Sequence, residues 1–227
     1  MKIPLLIVKF GNEISPQEIQ PFRGAVVASL NEKDILFHNH TENGVSYHYP
    51  LIQYKRIHKK AAIVCVKEGI KAISELFYTG NYHYKIGDRD VEMQIESIDT
   101  YNTDIDFCEE PRRYRLLNWL PLNSENYKEY QTIDGMAQRI IFMEEKLTGN
   151  LLSFFTEIGF RAEQQIDLHI TDVTARRLAH YKGVKLMAFD IEFKVNLTLP
   201  QYIGIGKSSS VGYGTLTKIT NNNRLNN

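Results

Sequence analysis

The clearest alternation of apolar and polar positions runs from Lys185 to Leu197. There Met187, Phe189, Ile191, Phe193, Val195 and Leu197 interleave with Asp190, Glu192, Lys194 and Asn196. A period of two over that length predicts a long antiparallel strand with one buried face. A helical period is equally clear over 135–155, where Ile140, Met143, Leu147, Leu151 and Phe154 follow one another at helical intervals and share a face. In the first half, Lys2–Phe10 reads as a strand. Ser15-Pro16-Gln17-Glu18 reads as a helix start, with Ser15 as cap, Pro16 in the first turn and Glu18 completing a capping box. That helix is expected to run to about Leu30. Asn43-Gly44 marks a two-residue hairpin turn within Ile35–Tyr49. Leu51–Lys55 and Ala61–Val66 are short apolar strands, and Lys67–Tyr78 is a helix. The alternation of Val91, Met93 and Ile95 with Glu92, Gln94 and Glu96 predicts a half-exposed strand. Beyond it, Tyr114–Trp119 and Ile166–Ile170 complete the strands.

Both halves therefore offer strands and helices in a βαββαβ-like order. The expected fold is α+β: two tandem ferredoxin-like domains with antiparallel sheets. A change from acidic to basic residues around Pro111 suggests a division into residues 1–110 and 111–227. The polar end, 221–227, is expected to fray.

Composition narrows the function classes. With 43% apolar and 11% aromatic residues, 227 residues suffice for a real core. No apolar run approaches the roughly 18 residues of a membrane span. The run after Met1 is too short for a signal peptide and is ended by Lys9. Two cysteines, Cys65 and Cys108, are too few for a disulfide scaffold, and Cys65 lies in an apolar strand pattern, as expected of a reduced core thiol in the cytoplasm. Net charge is zero, but residues 1–110 carry 12 basic and 16 acidic groups while 111–227 carry 15 and 11. A nucleic-acid site would thus be a local basic surface on the second half. Arg112, Arg113, Arg115, Arg176 and Arg177 are its candidate phosphate contacts.

Two motifs carry candidate chemistry. Residues 204–214 read Gly-Ile-Gly-Lys-Ser-Ser-Ser-Val-Gly-Tyr-Gly. The glycine spacing fits neither a dinucleotide fingerprint nor a P-loop, since Ser209 and Gln201 stand where glycines are needed. What remains is a loop between two strands, with Gly204, Gly206, Gly212 and Gly214 allowing close backbone approach. Lys207, Ser208 and Ser209 at its tip suit a phosphate chain. The second motif is Phe37-His38-Asn39-His40. A two-residue turn at Asn43-Gly44 would set His40 across from Tyr47 and His38 across from Tyr49, gathering proton-handling groups on one face. Two histidines titrating near neutrality can act as base and acid in metal-free RNA cleavage. Zinc binding by His-x-His, with His48 or a carboxylate as further ligand, is a competing reading. His58, His83, His169 and His180 belong to no motif.

The segment from Tyr202 to Gly214 resembles the C-terminal glycine-rich loop of the RAMP superfamily of CRISPR-associated RNA-binding proteins. Three further blocks, Phe37-His38-Asn39-His40, Tyr49-Pro50-Leu51-Ile52-Gln53-Tyr54-Lys55 and Val66-Lys67-Glu68-Gly69, resemble the b-type of the Cas-six repeat-processing endoribonucleases. This resemblance implies a catalytic pair, His38 and His40, supported by a tyrosine, matched best by Tyr47, and a lysine, for which Lys33 is nearest. It implies repeat RNA and the processed crRNA as ligands, no metal or other cofactor, a homodimer and association with a CRISPR effector complex. A non-catalytic RNA-holding subunit of the same superfamily is the alternative.

Overall fold

The computed structural model describes residues 1–30, 40–41, 44–45, 49–80, 82–181 and 183–220. The elements run β1 (Lys2–Glu13), a 3-10 turn (Pro16–Glu18), α1 (Ile19–Ala28), β2 (His40–Thr41), β3 (Gly44–Val45), β4 (Ile52–Ile57), β5 (Lys60–Val66), α2 (Glu68–Thr79), β6 (His83–Ile86), β7 (Arg89–Glu92) and β8 (Ile95–Asp104). After these come β9 (Phe107–Trp119), α3 (Ser124–Thr132), α4 (Met136–Ile158), β10 (Leu168–Tyr181), β11 (Val184–Leu197) and β12 (Thr215–Lys218). The chain forms two compact units. The amino-terminal unit is Lys2–Thr103 with Ser210–Gly212; the carboxyl-terminal unit is Met1, Asp104–Ser209 and Tyr213–Asn227.

In the amino-terminal unit the four-stranded sheet has the order β4-β5-β1-β8. With α1 and α2 as the crossovers this is a ferredoxin-like βαββαβ unit, into which the hairpins β2-β3 and β6-β7 are inserted. Its core follows from β1, where Leu5, Val8 and Phe10 are fully buried. Phe22 of α1 packs edge-on against Phe10 at 5.6 Å and against Tyr54 of β4 at 5.7 Å. Cys65 is a buried free thiol in β5, as its apolar setting predicts, and burial pushes its pKa up. The helix start at Ser15 is as read: the Ser15 N–H donates to Glu18 Oε2 at 2.7 Å. Gly69 has a steric reason to be glycine. A Cβ there would stand 2.6 Å from the Leu51 carbonyl oxygen, so the first turn of α2 can sit on the chain entering β4 only without a side chain.

The carboxyl-terminal unit repeats the sheet order as β10-β11-β9-β12. Its buried face carries Tyr114, Leu116, Phe189, Ile191, Phe193, Val195 and Leu197, and α4 contributes Leu147, Leu151 and Phe154 to this core. The molecule is thus α+β with two ferredoxin-like domains.

Several elements differ from the sequence reading. The alternation at Val91–Ile95 is not one strand. Met93 and Gln94 leave β7, where the Gly11 N–H donates to the Gln94 carbonyl and the Gln94 N–H to Asn12 Oδ1, both at 2.8 Å, so β7 and β8 belong to different sheets. The charge change at 110/111 falls inside β9, which continues through Pro111. Leu168–Tyr181 is a 14-residue strand because it pairs along most of β11, a long-range partnership that local alternation does not reveal. Helix α3 was not foreseen; Asn123 caps it by accepting from the Asn126 N–H at 2.8 Å. No described helix separates β11 from β12, and the glycine-rich segment occupies that connection. Among the described residues no helix is long and apolar enough to cross a membrane.

Candidate functional site

The glycine-rich segment is packed rather than open. Ile203 and Ile205 are fully buried, Val211 and Ser209 nearly so. Three of its amides donate inside the protein. The Tyr202 N–H donates to Leu216 O at 2.7 Å, the Ile205 N–H to Gly214 O at 2.7 Å, and the Gly214 N–H to Asn118 O at 3.1 Å. Gly204 bridges Thr215. Gly206 lies on the side chains of Trp119 and Asn150, which are joined by a hydrogen bond from the indole N–H at 2.9 Å. Residues 210–212 fold with the amino-terminal unit: the Tyr54 N–H donates to Ser210 O at 2.8 Å, Val211 bridges Tyr54, and Gly212 rests against Ile19. Lys207 stands exposed, and Ser208 beside it has a φ of 59°.

In β4, Tyr54 and Lys55 are both buried. Gln53, also fully buried, donates from Nε2 to the Tyr49 hydroxyl at 2.7 Å and to Pro50 O at 3.0 Å. Burial lowers the pKa of Lys55 from 10.5 to about 7. Between those values the unfolded chain binds more protons than the folded one. Stability therefore rises with pH from about 7 towards 10.5 and is least below 7. Lys55→Met keeps the volume and removes the titrating group. It is expected to flatten the pH dependence of stability between about 7 and 10.5. Thermal melts at three pH values check this. Parallel curves for the two proteins would refute it.

The histidine hairpin is described at β2 and β3. His40 pairs with Val45 and Thr41 with Gly44. At these positions the register differs by two residues from the one a turn at Asn43-Gly44 would give, so Val45 and not Tyr47 is the cross-strand partner of His40. Lys33, His38 and Tyr47 lie outside the described residues, and for His40 only the backbone is described.

Of the candidate arginines, Arg113 and Arg115 share one counter-ion on β11. Arg115 donates to Glu192 Oε1 at 2.8 Å from Nη2, and Arg113 Nη2 to Glu192 Oε2 at 3.2 Å. Arg177 donates at 2.6 Å to both oxygens of Asp190, and from Nε to Asn118 Oδ1 at 2.9 Å. Arg112 and Arg176 are exposed. The sequence reading named these arginines but not their carboxylate partners. The acidic positions on the polar face of β11, Asp190 and Glu192, were the available signal. Among the described residues no group of three or more His, Cys, Asp or Glu side chains is placed to hold a metal ion.

The chain is similar to known proteins along its whole length. A family model described as the Cas6b N-terminal domain matches residues 1–104, and one described as the Cas6b C-terminal domain matches residues 106–219. A protein of Methanocaldococcus jannaschii, the uncharacterized protein MJ0978, is 31% identical over 108 residues, which are 47% of this chain and 72% of that protein. The crystal structure of a Cas6b superposes with a TM-score of 0.87 at 23% identity, covering 96% of this chain and 100% of the other. That of a CRISPR RNA processing endoribonuclease Cas6b gives 0.75 at 22% identity, with the same coverage. Csf5, a type IV Cas6 crRNA endonuclease, gives 0.61 at 14% identity, covering 97% of this chain and 100% of that one. The solved structures establish the shared fold, and since the two family models together match nearly every residue, the chain belongs to the Cas6b family.

Proposed function

We propose that this protein is a metal-independent endoribonuclease that cleaves CRISPR precursor RNA within its repeats. The observation that carries the reading is the Cas6b match over both halves, with the histidine hairpin inside the N-terminal match. One of His38 and His40 takes the proton of a ribose 2′-hydroxyl. That oxygen attacks the adjacent phosphorus, and the bond to the 5′-oxygen of the next nucleotide breaks as the other histidine protonates it. The products are a 2′,3′-cyclic phosphate and a 5′-hydroxyl. Lys33 and Tyr47 offset the extra charge of the phosphorane. The nucleophile is internal to the RNA, so the step needs no metal-activated water.

In this reading residues 1–110 carry catalysis and residues 111–227 hold RNA. Lys207 is the exposed cation of the glycine-rich segment. Gly204, Gly206, Gly212 and Gly214 give that segment its path, and Ser208 and Ser209 flank its apex. Arg112, Arg113, Arg176 and Arg177 contact the phosphate backbone. The protein acts in the cytoplasm, as a homodimer and in association with a CRISPR effector complex.

Incubation with the labelled repeat RNA of its own genome in EDTA tests the reaction. Cleavage is expected, and a single 2′-deoxy substitution at the cut nucleotide is expected to abolish it. Loss of activity in EDTA favours the zinc reading, and tight binding with no cleavage favours the RNA-holding subunit.

A further inference from the structure

A cavity of about 430 Å³ opens in the carboxyl-terminal unit between the start of β9 and the chain leaving α4. It is lined by Met1, Asp106, Phe107, Gly159, Phe160, Arg161, Glu163 and Gln164. None of these belongs to the glycine-rich segment, the arginine pairs or the histidine hairpin. The volume suits a small organic group, and its walls combine two kinds of surface. One is aromatic: Phe107 and Phe160 are half-buried, with ring centroids 6.3 Å apart. The Phe160 ring is held by an edge-on contact with buried Phe155 at 4.9 Å. A ring fixed from behind with a partly open face is a stacking platform.

The other surface is polar and dominated by acceptors. Asp106 and Glu163 are exposed carboxylates, and Gln164 adds an amide oxygen. Gly159 caps the C-terminus of α4, where the last carbonyls carry the negative end of the helix dipole. Of the cationic groups, the Met1 ammonium donates to Ile105 O at 2.8 Å, which leaves Arg161 as the side-chain cation. The two carboxylates and the negative end of the helix dipole offset these two cations, so a free phosphate gains no net attraction here. A planar group with adjacent donors on its edge is favoured.

We propose that this cavity receives one unpaired guanine of the bound RNA. The inference rests on the RNA-processing reading above. The base stacks on Phe160, as unstacked bases of single-stranded RNA do on aromatic side chains. Its N1–H and 2-amino group present two neighbouring donors that a single carboxylate, Glu163, accepts together, while Arg161 supplies a donor suited to the O6 acceptor or the backbone. Uracil offers one such donor, and adenine and cytosine offer an amino group beside an acceptor. The carboxylates therefore select guanine, and the site contributes sequence preference rather than chemistry.

The test is a scan of repeat RNA in which each guanosine in turn is replaced by inosine, which lacks only the 2-amino group. Affinity is read by fluorescence anisotropy with wild-type protein, Phe160→Leu and Glu163→Gln. One position is expected at which inosine weakens wild-type binding by about tenfold, the scale of a lost base contact. At that position the loss disappears in Glu163→Gln, whose affinity for the unmodified RNA is already about tenfold lower. Phe160→Leu weakens binding to both RNAs alike, because stacking does not sense the amino group. Glu163 is exposed, so its variant remains informative if the Phe160 variant fails to fold. If both variants bind all RNAs as the wild type does, the guanine site is wrong and the endoribonuclease reading stands. If the wild type neither binds nor cuts repeat RNA, the endoribonuclease reading itself fails.

Discussion

Replacing His38 or His40 by alanine is expected to slow repeat cleavage by about 10²–10⁴-fold, the scale of one general acid or base, while RNA affinity changes by less than about threefold. The expectation rests on two steps. Attack by the 2′-hydroxyl and departure of the 5′-oxygen each move a proton, and histidine is the side chain whose ordinary titration range permits either role near neutrality. The paired strands at His40–Thr41 and Gly44–Val45 then fix the hairpin backbone that carries one member of the pair. In the proposed mechanism the histidines move protons instead of holding the RNA, so the loss is expected in the single-turnover rate and not in binding. The double variant is expected to lose little more than the worse single one, since two residues acting as a unit are not additive. Cleavage within tenfold of wild type in both single variants would remove His38 and His40 from the mechanism. A fall in affinity equal to the fall in rate would recast them as RNA contacts.

The second large effect concerns the packing of the glycine-rich segment. Gly214→Val is expected to cost at least about 3 kcal/mol, and so to lower the melting temperature by roughly 10 °C for a chain of this size. Gly214 has a φ of 59°, and any Cβ there would collide with the Ile205 carbonyl oxygen. Relief requires moving backbone that is locked from both sides, since Gly214 accepts from the Ile205 N–H at 2.7 Å and donates to Asn118 O at 3.1 Å. Gly149→Ala, in the middle of α4 with open space around the added methyl, is the control and is expected to stabilise by about 1 kcal/mol. A Gly214→Val protein that melts within 2 or 3 °C of wild type, on the scale of about 1 kcal/mol, would show that the segment rearranges freely. The packing described above would then not be what demands glycine.

Local physics determined much of this protein by itself. The period-two pattern of Lys185–Leu197 became β11, and the helical spacing of Ile140 to Phe154 became α4, because both elements bury one face along most of their length. The Ser15–Glu18 helix start and the apolar strands β4 and β5 are likewise set by neighbours a few residues away. The element order was enough to indicate two ferredoxin-like domains.

What escaped the sequence depended on partners distant in the chain. The length of β10 is set by β11 and the break after β7 by Asn12, neither of which leaves a periodic trace. Lys55 ends a short apolar strand pattern that does not show its burial, and only the assembled fold encloses it and lowers its pKa. The glycines of residues 204–214 read as an open phosphate loop, yet their surroundings are Trp119, Asn150, Ile19 and the Ile205 carbonyl. The pairing of Thr41 with Gly44 differs from the register that Asn43-Gly44 favours, because a local turn preference does not exclude the neighbouring register. Residue type and spacing along the chain determined which chemistry was available, whereas close approach between segments far apart in sequence decided which side chains are buried, paired or exposed to use it, because burial and pairing energies depend on distances that no local pattern encodes.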